Sequence, residues 1–118
     1  MILKDIAPVI SLDLGRVDAL FMGREDMYLK FLRKFPENVK RLLVELKEAV
    51  ENNDHQAIEA AAHGIKGVAS NLGVGNVTEL GTALMLDVRE NTPELIAEHY
   101  TKLVEEIEKA ISYIEKLD

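Results

Sequence analysis

Three residues within five positions could do chemistry together: His63, Lys66 and Gly67, in the run AAAHGIKGVASNLG at 60–73. A histidine ring nitrogen is nucleophilic enough to take a phosphoryl group, and the resulting phosphoramidate is labile enough to hand it on. Such a carrier needs an exposed imidazole, an adjacent cation and a low local skyline. On a helix at about 100° per residue with His63 set at zero, Ile58, Ala61, Ile65, Val68, Ala69 and Leu72 gather on the opposite side, within about 60° of 180°. Gln56, Glu59, Lys66, Gly67 and Ser70 fall within about 60° of His63. The histidine therefore centres the polar stripe and faces away from the core. Lys66, at i+3, can bring an ammonium near phosphoryl oxygens. Gly67 removes a side chain at i+4, where a docking partner would otherwise collide. Glycine in a helix interior costs roughly 0.5–1 kcal/mol relative to alanine, and Gly64 adds a second such cost. Close approach to this face is the expected compensation.

The spacing His63-Gly64-Ile65-Lys66-Gly67, followed by Ser70-Asn71-Leu72-Gly73, resembles the signature of histidine-containing phosphotransfer (HPt) domains. That pattern reads roughly H-x-(L/I)-K-G, then a small residue and L-G. This chain departs from it with Gly64, where the family often has Thr or Ser, and with Ile65, where Leu is commoner. Neither change touches the reactive group. The stretch 15–35 also looks like the family's segment before the bundle, with Leu, Gly and Phe landmarks. The resemblance implies that His63 is the phosphoryl acceptor of a phosphorelay, with Lys66 as phosphate neighbour. Gly64, Gly67, Ser70, Gln56 and Glu59 would form the partner-docking face. It further implies response-regulator receiver domains as partners, and a hybrid histidine kinase as another candidate. No cofactor of its own is expected, because the magnesium would belong to the receiver: no carboxylate cluster is placed to hold it beside His63.

Each of these residues has a bland alternative. A core role for His63 fails on angle, and an idle surface role must attribute Lys66 and Gly67 to chance. Lys66 alone would be a solvated lysine, and Ser70 an ordinary helical serine. Arg89 could reach the phosphoryl site from the next helix or simply be an exposed arginine. His55 and His99 read as structural or idle, His99 lying beside an apolar stripe at the core boundary.

The elements that must position these residues read as helix throughout. Residues 2–8 form a short opening helix ended near Pro8. Ser11 or Asp13 caps a second helix through Phe21, broken by Gly23. Met27, Phe31, Leu32 and Phe35 make a helical stripe. Pro36 interrupts or kinks it, and Val39, Leu42, Leu43, Leu46, Ala49 and Val50 continue the apolar face to about Glu51; one kinked helix and two helices both fit. Asn52-Asn53-Asp54 is a turn, with Asp54 as N-cap of the His63 helix, which ends near Gly73. Asn76 and Glu79 stand at capping-box spacing, ahead of a helix lined by Val77, Leu80, Leu84 and Val88, where Gly81 lets a neighbour pack closely. Thr92-Pro93-Glu94 starts the last helix, whose stripe runs through Ile96, Tyr100, Leu103, Ile107, Ile111, Ile114 and Leu117. Four long amphipathic stretches joined by short turns predict an all-α fold, an antiparallel up-down four-helix bundle with one or two short extra N-terminal helices.

Composition narrows the classes. A chain of 118 residues is the size of a single domain, so 1–118 is expected to be one unit. Without cysteine it has neither disulfide framework nor thiolate metal site. No signal-peptide layout or membrane-length apolar run is present, so a cytoplasmic, membrane-free protein is expected. The net charge of −7 argues against nucleic acid. A cluster of Lys30, Arg33, Lys34, Lys40 and Arg41 runs the other way and reads as a solvated helix face. A kinase is excluded for want of a Gly-rich nucleotide loop. A bundle-core metal enzyme is disfavoured because Glu59 and His63 are four apart, not three, and face outward. A phosphocarrier and a docking module that regulates without phosphorylation are left, and an acidic, well-patterned bundle is compatible with a monomer.

Overall fold

The computed structural model describes residues 2–117 and is helical from end to end. Three short helices come first: α1 (Ile2–Ile10), α2 (Leu14–Phe21) and α3 (Glu25–Leu32). Four long ones follow: α4 (Phe35–Glu51), α5 (His55–Asn71), α6 (Gly75–Arg89) and α7 (Pro93–Glu115). The helix carrying His63, α5, packs against α4 on one side and α6 on the other, and α7 packs on α6 and α4. Cross-links fix the directions. Arg89 of α6 meets Glu59 of α5, while Gly81 faces Ala62 and Lys66, so these two helices run antiparallel. Lys40–Glu115 and Lys47–Glu108 do the same for α4 and α7.

The caps explain the ends of α5. The Asp54 carboxylate accepts from the Ala57 N–H at 3.1 Å, satisfying one of the orphan donors of the first turn. At the other end Gly73 turns the chain with φ +69°, and a Cβ there would meet Val17 at 3.1 Å. Both facts demand glycine. The turn after α5 is stitched to the N-terminal segment, since Asp13 N–H donates to the Gly73 carbonyl and Gly75 N–H to that of Ser11, both at 2.8 Å. Tyr28 adds a buried contact there, donating its hydroxyl to the Leu72 carbonyl at 2.6 Å. Burial pushes its phenol well above the ordinary value, so Tyr28 remains a neutral donor.

Several sequence expectations shift. α1 continues through Pro8 to Ile10, because Leu3, Ile6 and Ile10 are buried and outweigh the one backbone bond that proline removes on the exposed side. Asp13, not Ser11, caps α2, accepting from Arg16 N–H at 3.1 Å. The 24–51 region is two helices, separated at Arg33 and Lys34, with Pro36 in the first turn of α4; three short helices therefore precede the long four, not one or two. The buried stripe of α3 is Tyr28 and Leu32, whereas Phe31 is exposed and rests against Phe21 at 5.8 Å between ring centroids. The capping box at Asn76 does not form. Val74 holds the N-cap position, and Asn76 donates to Glu106 of α7. Thr92 makes no side-chain cap bond to α7. His99 is structural: its Nδ1 lies 2.5 Å from Asp87 Oδ2, a buried carboxylate that ties α6 to α7.

Candidate functional site

His63 stands exposed midway along α5. Behind it Ile58, Ala61, Ile65, Ala69 and Leu72 are buried, as helical phasing requires, and Val68 is half-buried. Ala62 is fully buried as well. Sequence phasing missed it because Gly81 brings the backbone of α6 close on that flank, a Cβ on Gly81 lying 3.4 Å from the Ala62 carbonyl oxygen. The imidazole has no hydrogen-bond partner among the described residues, so both ring nitrogens are open to an incoming group.

Lys66 is half-buried, one turn further on and beside the histidine. Its Cβ packs against Gly81, and its ammonium makes no ion pair among the described residues. A cation so placed is free to accompany phosphoryl oxygens on the neighbouring ring. Gly67 faces open space, with nothing within 4 Å of where its Cβ would stand. Gly64 behaves differently. A Cβ there would lie 2.9 Å from Leu42 Cδ2, so the room it leaves is filled by α4. The absence of a side chain at Gly64 therefore serves internal packing.

Gln56 is exposed two turns before His63. Glu59, one turn before it, accepts from Arg89 Nε at 2.8 Å, which offsets a carboxylate on the His63 side of the helix. Ser70 marks the far end of the stripe, where its backbone carbonyl accepts from Arg16 Nε at 2.7 Å. Arg16 escaped the sequence reading. It sits 54 positions from Ser70, and no local periodicity reports a contact of that range. The His63 face carries Lys66 and the Arg89–Glu59 pair, with Arg16 held at the Ser70 carbonyl.

Fold and site together define an all-helical module whose candidate nucleophile is presented on an open helix face, flanked by a free ammonium and a gap in the side-chain relief. Residues 30–115 match the family model for the Hpt domain. No curated protein and no solved structure matches the chain. The chain belongs to the Hpt domain family, helical bundles that act as phosphocarriers in two-component signalling and not as catalytic enzymes.

Proposed function

We propose that this protein is a phosphorelay carrier that takes a phosphoryl group on His63 from the aspartyl phosphate of one receiver domain and returns it to another. The observation that carries the reading is the unpartnered, exposed imidazole of His63 with open space one turn further on at Gly67. In the forward step a ring-nitrogen lone pair forms an N–P bond as the acyl P–O bond breaks, and the aspartate carboxylate leaves with the electron pair. Return to a second receiver is the reverse of the same exchange. Lys66 balances charge on the phosphoryl oxygens, and Gln56, Glu59, Gly67 and Ser70 form the surface on which the receiver rests. Magnesium stays with the receiver.

The same reading takes the four long helices as an antiparallel up-down four-helix bundle and 1–118 as one domain. It makes the protein a cytoplasmic monomer that is phosphorylated by its partners, a hybrid histidine kinase among them. The test is transfer from a phosphorylated receiver, followed by mass spectrometry under non-acidic conditions that spare phosphohistidine. The parent should gain one phosphoryl group on His63, and His63→Gln should fold alike by circular dichroism and gain none. Undiminished labelling of the variant would overturn the carrier assignment.

A further inference from the structure

We propose that the groove between α4 and α5 beside His63 takes a lysine or arginine side chain of the docking receiver, so that charge sets partner choice there. The inference rests on the phosphotransfer reading and adds to it a contact on α4. The groove has a volume of about 420 Å³ and is lined along α4 from Glu45 to Asn52 and along α5 from Asp54 to Ala61.

Helical phasing sets this groove against the reactive ring. Ala60 lies three residues before His63, about 4.5 Å along the axis and about 60° round. Gly64 is about 100° round in the same sense and faces Leu42, so this is the α4 flank. Gly67 turns the same way, and nothing stands within 4 Å of where its Cβ would be. Lys66 and Glu59 turn the other way, toward Gly81 and Arg89 of α6. The α6 flank is thus built up by long side chains, while exposed Ala60 and Gly67 keep the α4 flank low. A standard interface covers about 800 Å² of each partner, a disc of about 16 Å radius. Centred on His63, it takes in the groove as far as Asp54, about 13.5 Å along the helix.

The lining selects the occupant. Its floor is Ala49, Ala57, Ala60 and Ala61, a methyl surface on which the aliphatic stem of a long cationic side chain can lie. The ionisable residues that line it are Glu45, Glu48 and Asp54, with no lysine or arginine beside them among the described residues. Asp54 accepts from the Ala57 N–H and keeps its charge. Glu48 has no partner among the described residues. Arg41 lies 3.8 Å from Glu45 in an exposed pair and offsets one charge at most. Three carboxylates less one guanidinium leave a net charge of −2. The carbonyl end of α4, at Asn52, adds partial negative charge. An anionic group is repelled from such a groove, whereas an ammonium or guanidinium on an apolar stem matches both rim and floor.

The receiver used in the test is the one, among those encoded with this protein, that phosphorylates the parent fastest. Its affinity is measured by titration calorimetry at low and high salt for three proteins: the parent, Glu45→Gln/Glu48→Gln, and Glu94→Gln/Glu105→Gln, which removes two exposed carboxylates of α7. The groove variant should bind roughly three- to tenfold more weakly at low salt, with the deficit shrinking at high salt. The α7 variant should bind within about twofold of the parent, because it loses the same charge away from the contact. Glu48→Lys should bind more weakly than the groove double variant. Thermal melts should match the parent throughout. Labelling from phosphoramidate should also match, since this small donor needs no docking: the ring nitrogen forms its N–P bond as the donor P–N bond breaks and ammonia leaves. Parent-like affinity of the groove variant, an equal loss in the α7 variant, or loss of phosphoramidate labelling by the groove variant would each overturn the inference and leave the carrier reading standing. No transfer to the parent from any receiver would overturn both.

Discussion

Lys66 rests on Gly81: a Cβ on that glycine would stand 3.3 Å from the Cβ of Lys66 and 3.6 Å from its Cα. The backbone of α6 thus braces the root of the lysine, while the ammonium remains unpaired among the described residues. A large side chain at Gly81 would wedge α6 off α5. Gly81→Leu is expected to cost about 1–3 kcal/mol through overpacking. That corresponds to a Tm lower by about 4 °C per kcal/mol in a chain of this size, with slower phosphoryl transfer as Lys66 moves. A melt equal to the parent's would show that the two helices have slack.

Lys66→Ala keeps the Cβ that touches Gly81 and removes only the stem and charge. The melting temperature should stay within a few degrees of the parent. A charge-assisted contact to a phosphoryl oxygen is worth on the order of 1.5–3 kcal/mol when well formed and less when exposed. The transfer rate or its equilibrium should therefore fall by about tenfold or somewhat less. Unchanged transfer would leave Lys66 as a solvated side chain.

Arg89 and Glu59 form an exposed pair, with side chains 62% and 33% accessible, so their coupling should add less than about 1 kcal/mol to stability and shrink with salt. Their effect on His63 is electrostatic. Removing Arg89 leaves the Glu59 carboxylate uncompensated one turn from a phosphoryl dianion. Arg89→Ala should lower the phosphorylated fraction at equilibrium by roughly three- to tenfold at low salt. Adding Glu59→Gln should restore it. Failure of that rescue would mean that Arg89 acts by touching the phosphoryl group or the partner.

Tyr28 gives a pH signature. Its phenol is raised above 10.0 by burial, so above pH 10 the unfolded chain releases this proton while the folded chain holds it. The contribution is full below pH 10 and declines as pH rises toward the folded value. Tyr28→Phe should cost about 1–3 kcal/mol at pH 8, leaving the Leu72 carbonyl without its partner. The gap between parent and variant should narrow from pH 10 upward in paired melts. A constant gap would show that Tyr28 titrates normally.

The parts of the site legible in sequence are those that local geometry decides. The outward angle of His63, the buried stripe from Ile58 to Leu72 and the Asp54 cap all follow from 100° steps and one capping residue. What local geometry does not decide is which neighbour fills a gap. Gly64 and Gly67 carry the same helical cost, yet one faces Leu42 and the other solvent. In α3 the stretch Met27, Tyr28, Phe31, Leu32 offers two apolar phasings. The phasing chosen puts Tyr28 where its hydroxyl reaches Leu72, 44 positions away. Asp87 is a buried carboxylate on α6 whose partner, His99, comes from α7. Such pairings depend on inter-helix register, which a single periodic pattern leaves open.

Gly67 separates carrier chemistry from docking. It lies about 40° round from His63 and one turn along, and a side chain there would project beside the reactive ring into space that is now empty. Alanine at that position should stabilise the helix by about 0.5–1 kcal/mol. Glutamine is also a good helix former, and with nothing within 4 Å of its Cβ it has no internal clash to make. Both variants should therefore melt at or slightly above the parent temperature. If a receiver must press its active site onto this face, Gly67→Gln will block binding and transfer although His63 and Lys66 are intact, and Gly67→Ala will have a smaller effect. The measurements are receiver affinity, transfer rate and thermal melts for both variants, side by side. A stable Gln variant that binds and transfers normally would place the docking surface elsewhere on the bundle.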